Sequence, residues 1–104
     1  MEKIMQEIKQ FNEERDWGQF HTPENLAKSI SIEAGELLEC FQWNNEYDIN
    51  SVKEEIADVM NNCIRLCDVL NLDPKQIMLE KIEKNNIKYP MDKCKGKCTK
   101  YNKL

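Results

Sequence analysis

Glycine, proline and histidine are scarce in this chain, and each shortage excludes a class of structure or chemistry. Only three glycines and three prolines occur among 104 residues. Strand-rich chains need more turn residues than this, so the composition predicts an all-α protein. No apolar run approaches the roughly 20 residues that span a bilayer, and the N-terminal residues do not resemble a signal peptide. We therefore expect a cytoplasmic protein without a membrane partner.

The single histidine, His21, limits the catalytic chemistry that the chain can support. A Ser-His-Asp or Cys-His nucleophile has little support, and the sequence contains no Gly-rich phosphate loop. The five cysteines are an odd number without a secretion signal, which argues against a disulfide framework. Cys94 and Cys98 would need two further ligands to bind zinc, so we expect no zinc site there.

Charge is distributed unevenly along the chain. Residues 88–104 hold six lysines and one aspartate, whereas residues 1–87 carry a net charge of −9. An acidic body is a poor binder of nucleic-acid polymers. We expect one domain over residues 1–90 and a Lys-rich C-terminal tail over residues 91–104. Composition leaves open whether the tail is solvated, contacts acidic partners or folds over a phosphate chain.

Apolar periodicity and capping residues predict four helices, over about residues 2–15, 23–43, 51–70 and 74–89. Thr22, Ser51 and Asp73 are the predicted N-caps of the last three. A chain of this length buries only a modest core, and small helical proteins often complete their core with a second copy. The predicted fold is therefore a four-helix bundle-like, all-α domain completed by oligomerisation, as a dimer or a dimer of dimers.

Two short motifs, E-A-G-E at residues 33–36 and E-I-A-D at residues 55–58, carry the strongest chemical signal. Each pairs two carboxylates at i,i+3 spacing, with Cβ atoms about 5–6 Å apart on a helix. Glu33 falls on the apolar stripe of its helix, where an unpaired carboxylate is unfavourable. A cation that prefers oxygen ligands, such as Mg²⁺ or Mn²⁺, would explain this placement, and Mg²⁺ usually accompanies a phosphate-bearing substrate. Alternatively, the acids are solvated or paired with Lys28 or Lys53.

Gly35 lies inside the first acidic motif, within a predicted helix. Glycine there costs about 1 kcal/mol of helix propensity relative to alanine. Close approach of another backbone or of a ligand would explain its presence.

The carboxylate motifs are accompanied by three longer segments and by a characteristic tail. The segments are E-R-D-W-G-Q-F-H-T-P-E-N-L from residue 14, E-L-L-E-C-F-Q-W from residue 36 and K-I-E-K-N-N-I-K-Y-P from residue 81, and the tail contains K-C-K-G-K-C-T-K-Y. In this order they resemble the all-α nucleoside triphosphate pyrophosphohydrolases of the MazG-like superfamily, whose metal motif is E-x-x-E followed by E-x-x-D. Within it, the resemblance is greatest to the small dCTP pyrophosphatase branch.

The resemblance implies Mg²⁺-dependent hydrolysis of a nucleoside triphosphate to monophosphate and pyrophosphate, with Mn²⁺ as the alternative ion. It implies dCTP or a related or modified pyrimidine deoxynucleotide as substrate, and a role in nucleotide-pool sanitation. The implied metal ligands are Glu33, Glu36, Glu55 and Asp58, with Glu33 or Glu36 activating the attacking water. The implied base and sugar contacts are Trp17, Gly18, Gln19, Phe20, His21, Trp43 and Asn62. The implied triphosphate contacts are Lys81, Asn85, Lys88 and Tyr89.

Asn62 stands where some members of the superfamily carry tyrosine, so an amide hydrogen-bonds where a phenol would stack. The sequence therefore leaves the preferred base open, as it does the choice between dimer and tetramer. The alternative function is a non-catalytic helical module that senses nucleotide or metal. Because all four implied ligands are intact, we favour the enzyme.

Overall fold

The computed structural model describes residues 1–43 and 46–103, and these residues form helices and no strand. The α-helices are α1 (Glu2–Glu14), α2 (Pro23–Glu39), α3 (Ile49–Val69), α4 (Pro74–Lys88) and α5 (Met91–Cys94). Two 3-10 turns cover Trp17–Phe20 and Tyr101–Lys103. In the described part of the chain, every helix is too short or too polar to cross a membrane. The predicted all-α class is confirmed, whereas completion by oligomerisation stays a prediction.

The chain divides into two compact units, Met1–Leu72 and Asp73–Leu104. In the first unit α2 packs most extensively against α3, and α1 packs against α3 and the first 3-10 turn. His21, in the turn before α2, contacts Arg65 near the C-terminal end of α3. Glu33, in the middle of α2, lies close to Glu55 near the N-terminal end of α3. The two helices therefore run antiparallel. The predicted division into residues 1–90 and 91–104 stays a prediction.

Side-chain caps begin α2 and α4 where the sequence predicts them. Thr22 Oγ1 accepts a hydrogen bond from the backbone N–H of Asn25 at 3.1 Å. Asp73 Oδ1 accepts one from the backbone N–H of Lys75 at 3.0 Å. Each cap satisfies a donor that the first helical turn leaves unpaired, and a proline follows it in the first turn. Helix α2 ends at Glu39, earlier than predicted, and passes into a turn.

The predicted start of α3 is wrong, because Asp48 rather than Ser51 is its N-cap. Asp48 Oδ1 accepts from the backbone N–H of Asn50 at 3.2 Å. The Ser51 hydroxyl donates to Asp48 Oδ2 at 2.9 Å. These hydrogen bonds, first that from Ser51 and then that from Asn50, lower the pKa of Asp48. A carboxylate accepts more strongly than a hydroxyl, so the upstream aspartate caps the helix and the serine becomes its donor.

The apolar core of the described residues is small. Its buried members are Leu26, Val52, Ile64 and Cys67. In the sequence, Cys63 and Cys67 lie four residues apart on an apolar helical stripe, which predicts that both are buried. The prediction is wrong for Cys63, which is exposed, whereas Cys67 is buried. Helix α3 contacts both α1 and α2, so the buried face of its C-terminal half departs from the single stripe that the sequence predicts.

Gly35 gives a test of what lies beside α2. A Cβ built on Gly35 meets no described atom within 4 Å outside its own helical backbone, so the close approach predicted from the sequence does not come from this chain's described residues. Gly35→Ala should therefore raise the free energy of unfolding by roughly 0.5–1 kcal/mol, measured in urea. Ala34→Gly is the matched control and should lower it by a similar amount. Loss of stability or activity in Gly35→Ala would indicate that a ligand or a second chain approaches this position.

Candidate functional site

Three of the four predicted metal ligands converge in the first unit. One carboxylate oxygen from each of Glu33, Glu55 and Asp58 lies within 4.8 Å of the other two. Glu33 and Glu55 are half-buried, whereas Asp58 is exposed. The exposed Glu36 is outside this set of three, and it lies close enough to Glu33 and Glu55 to raise the pKa of both. The antiparallel packing of α2 and α3 thus brings the two acidic motifs together.

No positively charged side chain among the described residues forms an ion pair with these four carboxylates. Lys28, a predicted alternative partner, pairs instead with Glu24 at 3.2 Å. Glu33 Oε2 and Glu55 Oε2 are buried and have no hydrogen-bond partner within the described chain. Buried carboxylate oxygens are unfavourable unless something compensates them. The four side chains therefore supply oxygen atoms and negative charge, which is the donor set that Mg²⁺ and Mn²⁺ prefer.

The crowding of carboxylates shifts their proton equilibria. A hydrogen bond with Glu36, then partial burial and the negative charges of Glu36, Asp58 and Glu55, raise the pKa of Glu33 to about 7. Burial raises the pKa of Glu55, and the charge of Glu36 adds to that effect. Without a cation, the cluster therefore holds a proton near neutral pH. A divalent cation would take the place of that proton.

The raised pKa of Glu33 predicts a pH dependence of stability. Its folded value of about 7 exceeds the ordinary 4.5. The stabilisation from this proton is therefore complete below about pH 4.5 and disappears as the pH rises through about 7. In EDTA, the free energy of unfolding of the native chain relative to Glu33→Gln should fall across this window.

Chemical denaturation at several pH values measures this difference, and Glu39→Gln, an exposed position of the same helix, serves as the control. With Mg²⁺ present the trend should reverse, because the cation binds the ionised carboxylates. A difference between the native chain and Glu33→Gln that does not change with pH would contradict the raised pKa of Glu33.

A cavity of about 1000 Å³ borders the acidic cluster at Asp58. Residues from α1, the first 3-10 turn and α3 line it, and they include the predicted substrate residues Trp17, His21 and Asn62. The Trp17 ring packs edge-on against Phe11, with centroids 5.6 Å apart. Cavities of this size accommodate small-molecule ligands. The structure thus places an aromatic wall and several polar groups beside the candidate metal site.

Other predicted substrate residues occupy different surroundings. Phe20 lines a second cavity of about 330 Å³, together with Trp17 and His21. The Gln19 amide donates to the backbone oxygen of Asp16 at 2.9 Å, so it is engaged within its own turn. Gly18 lies against Arg65, since a Cβ built on it would be 3.6 Å from the guanidinium. Trp43 is 84% exposed and lines neither cavity, so the structure does not bring it together with Trp17.

Two arginines that the sequence analysis did not single out also line the large cavity. The Arg15 guanidinium lies 3.7 Å from the centroid of the Phe11 ring, and its position in the E-R-D-W segment could have indicated it. Arg65 Nε donates to His21 Nδ1 at 3.0 Å. No local pattern indicates Arg65, because its partner is 44 residues away.

The second unit groups the residues predicted to bind the triphosphate. Lys81, Asn85 and Lys88 are spaced by four and three residues along α4, which places them on one face. Tyr89 follows the helix, and its N–H donates to the Asn85 backbone oxygen at 2.8 Å. Tyr101, in the Lys-rich tail, packs edge-on against Tyr89, and Lys88 Nζ lies 4.9 Å from the Tyr101 ring centroid. The tail therefore returns to the C-terminal end of α4.

Residues 28–104 match the model of the MazG-like family. The chain belongs to the MazG-like family. Along its full length it is 32% identical to dCTP pyrophosphatase 1 of Mus musculus and 31% identical to dCTP pyrophosphatase 1 of Homo sapiens, and it spans 67% of each. The crystal structure of a pyrophosphatase from Archaeoglobus fulgidus superimposes with a TM-score of 0.80 at 43% identity, over 86% of this chain and 92% of that one. The resemblance inferred from the sequence is confirmed.

Proposed function

We propose that this MazG-like chain hydrolyses a nucleoside triphosphate between its α and β phosphates, giving a monophosphate and pyrophosphate. Membership of the family, and relatives named as pyrophosphatases, support the predicted enzyme class, a nucleoside triphosphate pyrophosphohydrolase. The observation that carries the proposal is the convergence of Glu33, Glu55 and Asp58, with Glu36 beside them, at the edge of a cavity. A non-catalytic sensor of metal or nucleotide would also use these carboxylates, so the release of pyrophosphate distinguishes the two functions.

The acidic cluster would hold Mg²⁺, with Mn²⁺ as the alternative. The unpartnered oxygens Glu33 Oε2 and Glu55 Oε2 support this proposal, because a cation would compensate both. When bound, a divalent cation neutralises polyphosphate charge and polarises the reacting phosphoryl group.

Glu33 or Glu36 would accept the proton of the attacking water. With the cation bound, Glu33 would be ionised and could accept a proton. Glu36 stands at the exposed edge of the cluster, outside the three converging oxygens, and is open to water. On α4, Lys81 and Lys88 would neutralise the triphosphate, and Asn85 would donate a hydrogen bond to it.

Asn62 supports a cytosine base. Its Nδ2 donates to the Asp58 backbone oxygen at 2.9 Å, so Oδ1 is the amide atom that remains to accept from a ligand, and Asn62 lines the cavity. Cytosine carries a 4-amino donor, whereas thymine carries an acceptor at the same position, and so does uracil. We therefore propose dCTP, or a cytosine nucleotide modified at another ring position, as the substrate, in nucleotide-pool sanitation.

Product analysis tests the function. The purified chain with Mg²⁺ and dCTP should release pyrophosphate and dCMP, and turnover of dUTP and dTTP should be weaker, with 5-methyl-dCTP resembling dCTP. Removal of the metal by EDTA should abolish turnover. Release of inorganic phosphate alone would show that another bond is cleaved.

Variants of the cluster provide the matched comparison. Glu55→Gln and Asp58→Asn should each lower kcat at least 100-fold while helicity by circular dichroism stays unchanged, because each removes a negative charge from the proposed metal site. Glu54→Gln changes an exposed neighbour and should retain activity. Retained turnover in Asp58→Asn would remove Asp58 from the metal site.

We also propose that the chain acts as a dimer or a dimer of dimers. Several large apolar side chains are open to solvent in the single chain, among them Leu38, which is 72% exposed, and Ile87, which is 79% exposed. Burial of such surface against a second copy would be favourable by about 25 cal/mol per Å². Sedimentation at micromolar concentration should therefore detect a dimer or tetramer, and a monomer would contradict this proposal.

A further inference from the structure

A short series of polar contacts joins α3 to the turn before α2, outside the acidic cluster. Asp68 Oδ2 accepts from Arg65 Nη1 at 3.2 Å. Arg65 Nε donates to His21 Nδ1 at 3.0 Å. The Arg65 side chain is only 12% exposed, and both Arg65 and His21 line the large cavity. A nearly buried arginine therefore donates one of its hydrogen bonds to the single histidine of the chain.

We propose that Arg65 is a positioning residue that holds the His21 imidazole neutral, with its proton on Nε2, so that the ring donates a hydrogen bond to an acceptor on the base of the bound nucleotide. The identity of that acceptor rests on the proposed function. The state of the ring does not.

The protonation of the ring follows from the donor. Arginine carries N–H donors and no acceptor, and it does not lose its proton in proteins. A nitrogen that accepts from Arg65 Nε therefore has no hydrogen of its own, and in a neutral imidazole the proton must be on the other nitrogen. Nδ1 is thus occupied by Arg65, and Nε2–H is the donor that the ring can offer to a ligand.

The surroundings of the ring oppose a second proton. Burial, and then the positive charge of Arg65, lower the pKa of His21. Other charged side chains line the cavity from α1, from the residue that follows it and from α3, and they are Lys3, Glu7, Glu14, Arg15 and Asp58. The carboxylate of Asp68 accepts from Arg65 Nη1 and so restrains the guanidinium that faces His21.

A fixed donor discriminates between ligand atoms. A base edge that presents a carbonyl oxygen or an unprotonated ring nitrogen can accept from Nε2–H, whereas an amino group at that point leaves two donors facing each other, which is unfavourable. Cytosine has such acceptors at O2 and N3. We therefore expect Arg65 to act on the substrate through His21.

Nuclear magnetic resonance tests the state of the ring without substrate or metal. The chain has one histidine, so both ring ¹⁵N signals belong to His21, and their couplings to the carbon-bound ring protons distinguish Nδ1 from Nε2. In the native chain Nδ1 should show the shift of an unprotonated nitrogen and Nε2 that of a protonated one. In Arg65→Met, which removes the donor and the charge at similar length, the two shifts should move toward each other as both tautomers become populated, and the pKa of His21 should rise toward its usual value.

Arg15→Met is the matched control, because Arg15 lines the same cavity but stacks on Phe11, and it should leave the ring signals unchanged. If Arg65→Met fails to fold, Asp68→Asn weakens the hold on Arg65 and should shift the signals in the same direction by a smaller amount. A native chain with its proton on Nδ1, or variant signals identical to the native ones, would overturn the proposal.

Steady-state kinetics with dCTP and Mg²⁺ test whether Arg65 affects substrate binding through His21. Arg65→Met and His21→Phe should each raise KM about fivefold, the loss expected for one hydrogen bond, with kcat within about twofold of the native value. The double variant should have the KM of His21→Phe alone, because the arginine has no effect without the ring. Multiplicative effects would show that Arg65 acts directly and would overturn the positioning role.

If no nucleotide yields pyrophosphate, the proposed function fails, while the ¹⁵N shifts still decide whether Arg65 sets the tautomer.

Discussion

Repulsion between the carboxylates of α2 and α3 opposes the packing of these two helices. The side chains of Glu33, Glu36, Glu55 and Asp58 lie together, and no described lysine or arginine compensates them. Apolar contacts around Leu26, Val52 and Ile64 supply the opposing attraction. This arrangement is unfavourable while the carboxylates are uncompensated, and the cation that we propose would compensate them. The proposed metal site would therefore contribute to the packing of this unit as well as to its chemistry.

Those features that depend on neighbouring residues could be predicted from the sequence. Thr22 and Asp73 were predicted as caps because an N-cap and the donors that it satisfies lie within three residues of each other. The i,i+3 carboxylate pairs follow from helix geometry alone. Prediction failed where two local signals competed, as at Asp48 and Ser51, and where a helix had two packing partners, as for Cys63 and Cys67.

Contacts between distant parts of the chain could not be predicted where neither a motif nor the resemblance indicated them. The contact between Arg65 and His21 spans 44 residues, and periodicity in either segment carries no information about it. The family resemblance indicated His21 but not the arginine that orients it. In the same way, the return of Tyr101 to Lys88 and Tyr89 depends on the path of the tail, which composition had left open between three alternatives.

Helix α3 carries Glu55, Asp58, Asn62 and Arg65 at intervals of three, four and three residues, along one face. Its first two positions belong to the acidic cluster and its last two to the wall of the cavity. On the proposed function, substitutions at Asn62 or Arg65, one or two turns beyond the acids, would change which base is accepted and leave the acidic residues unchanged. A single helix would then hold the cation and select the base at separate positions.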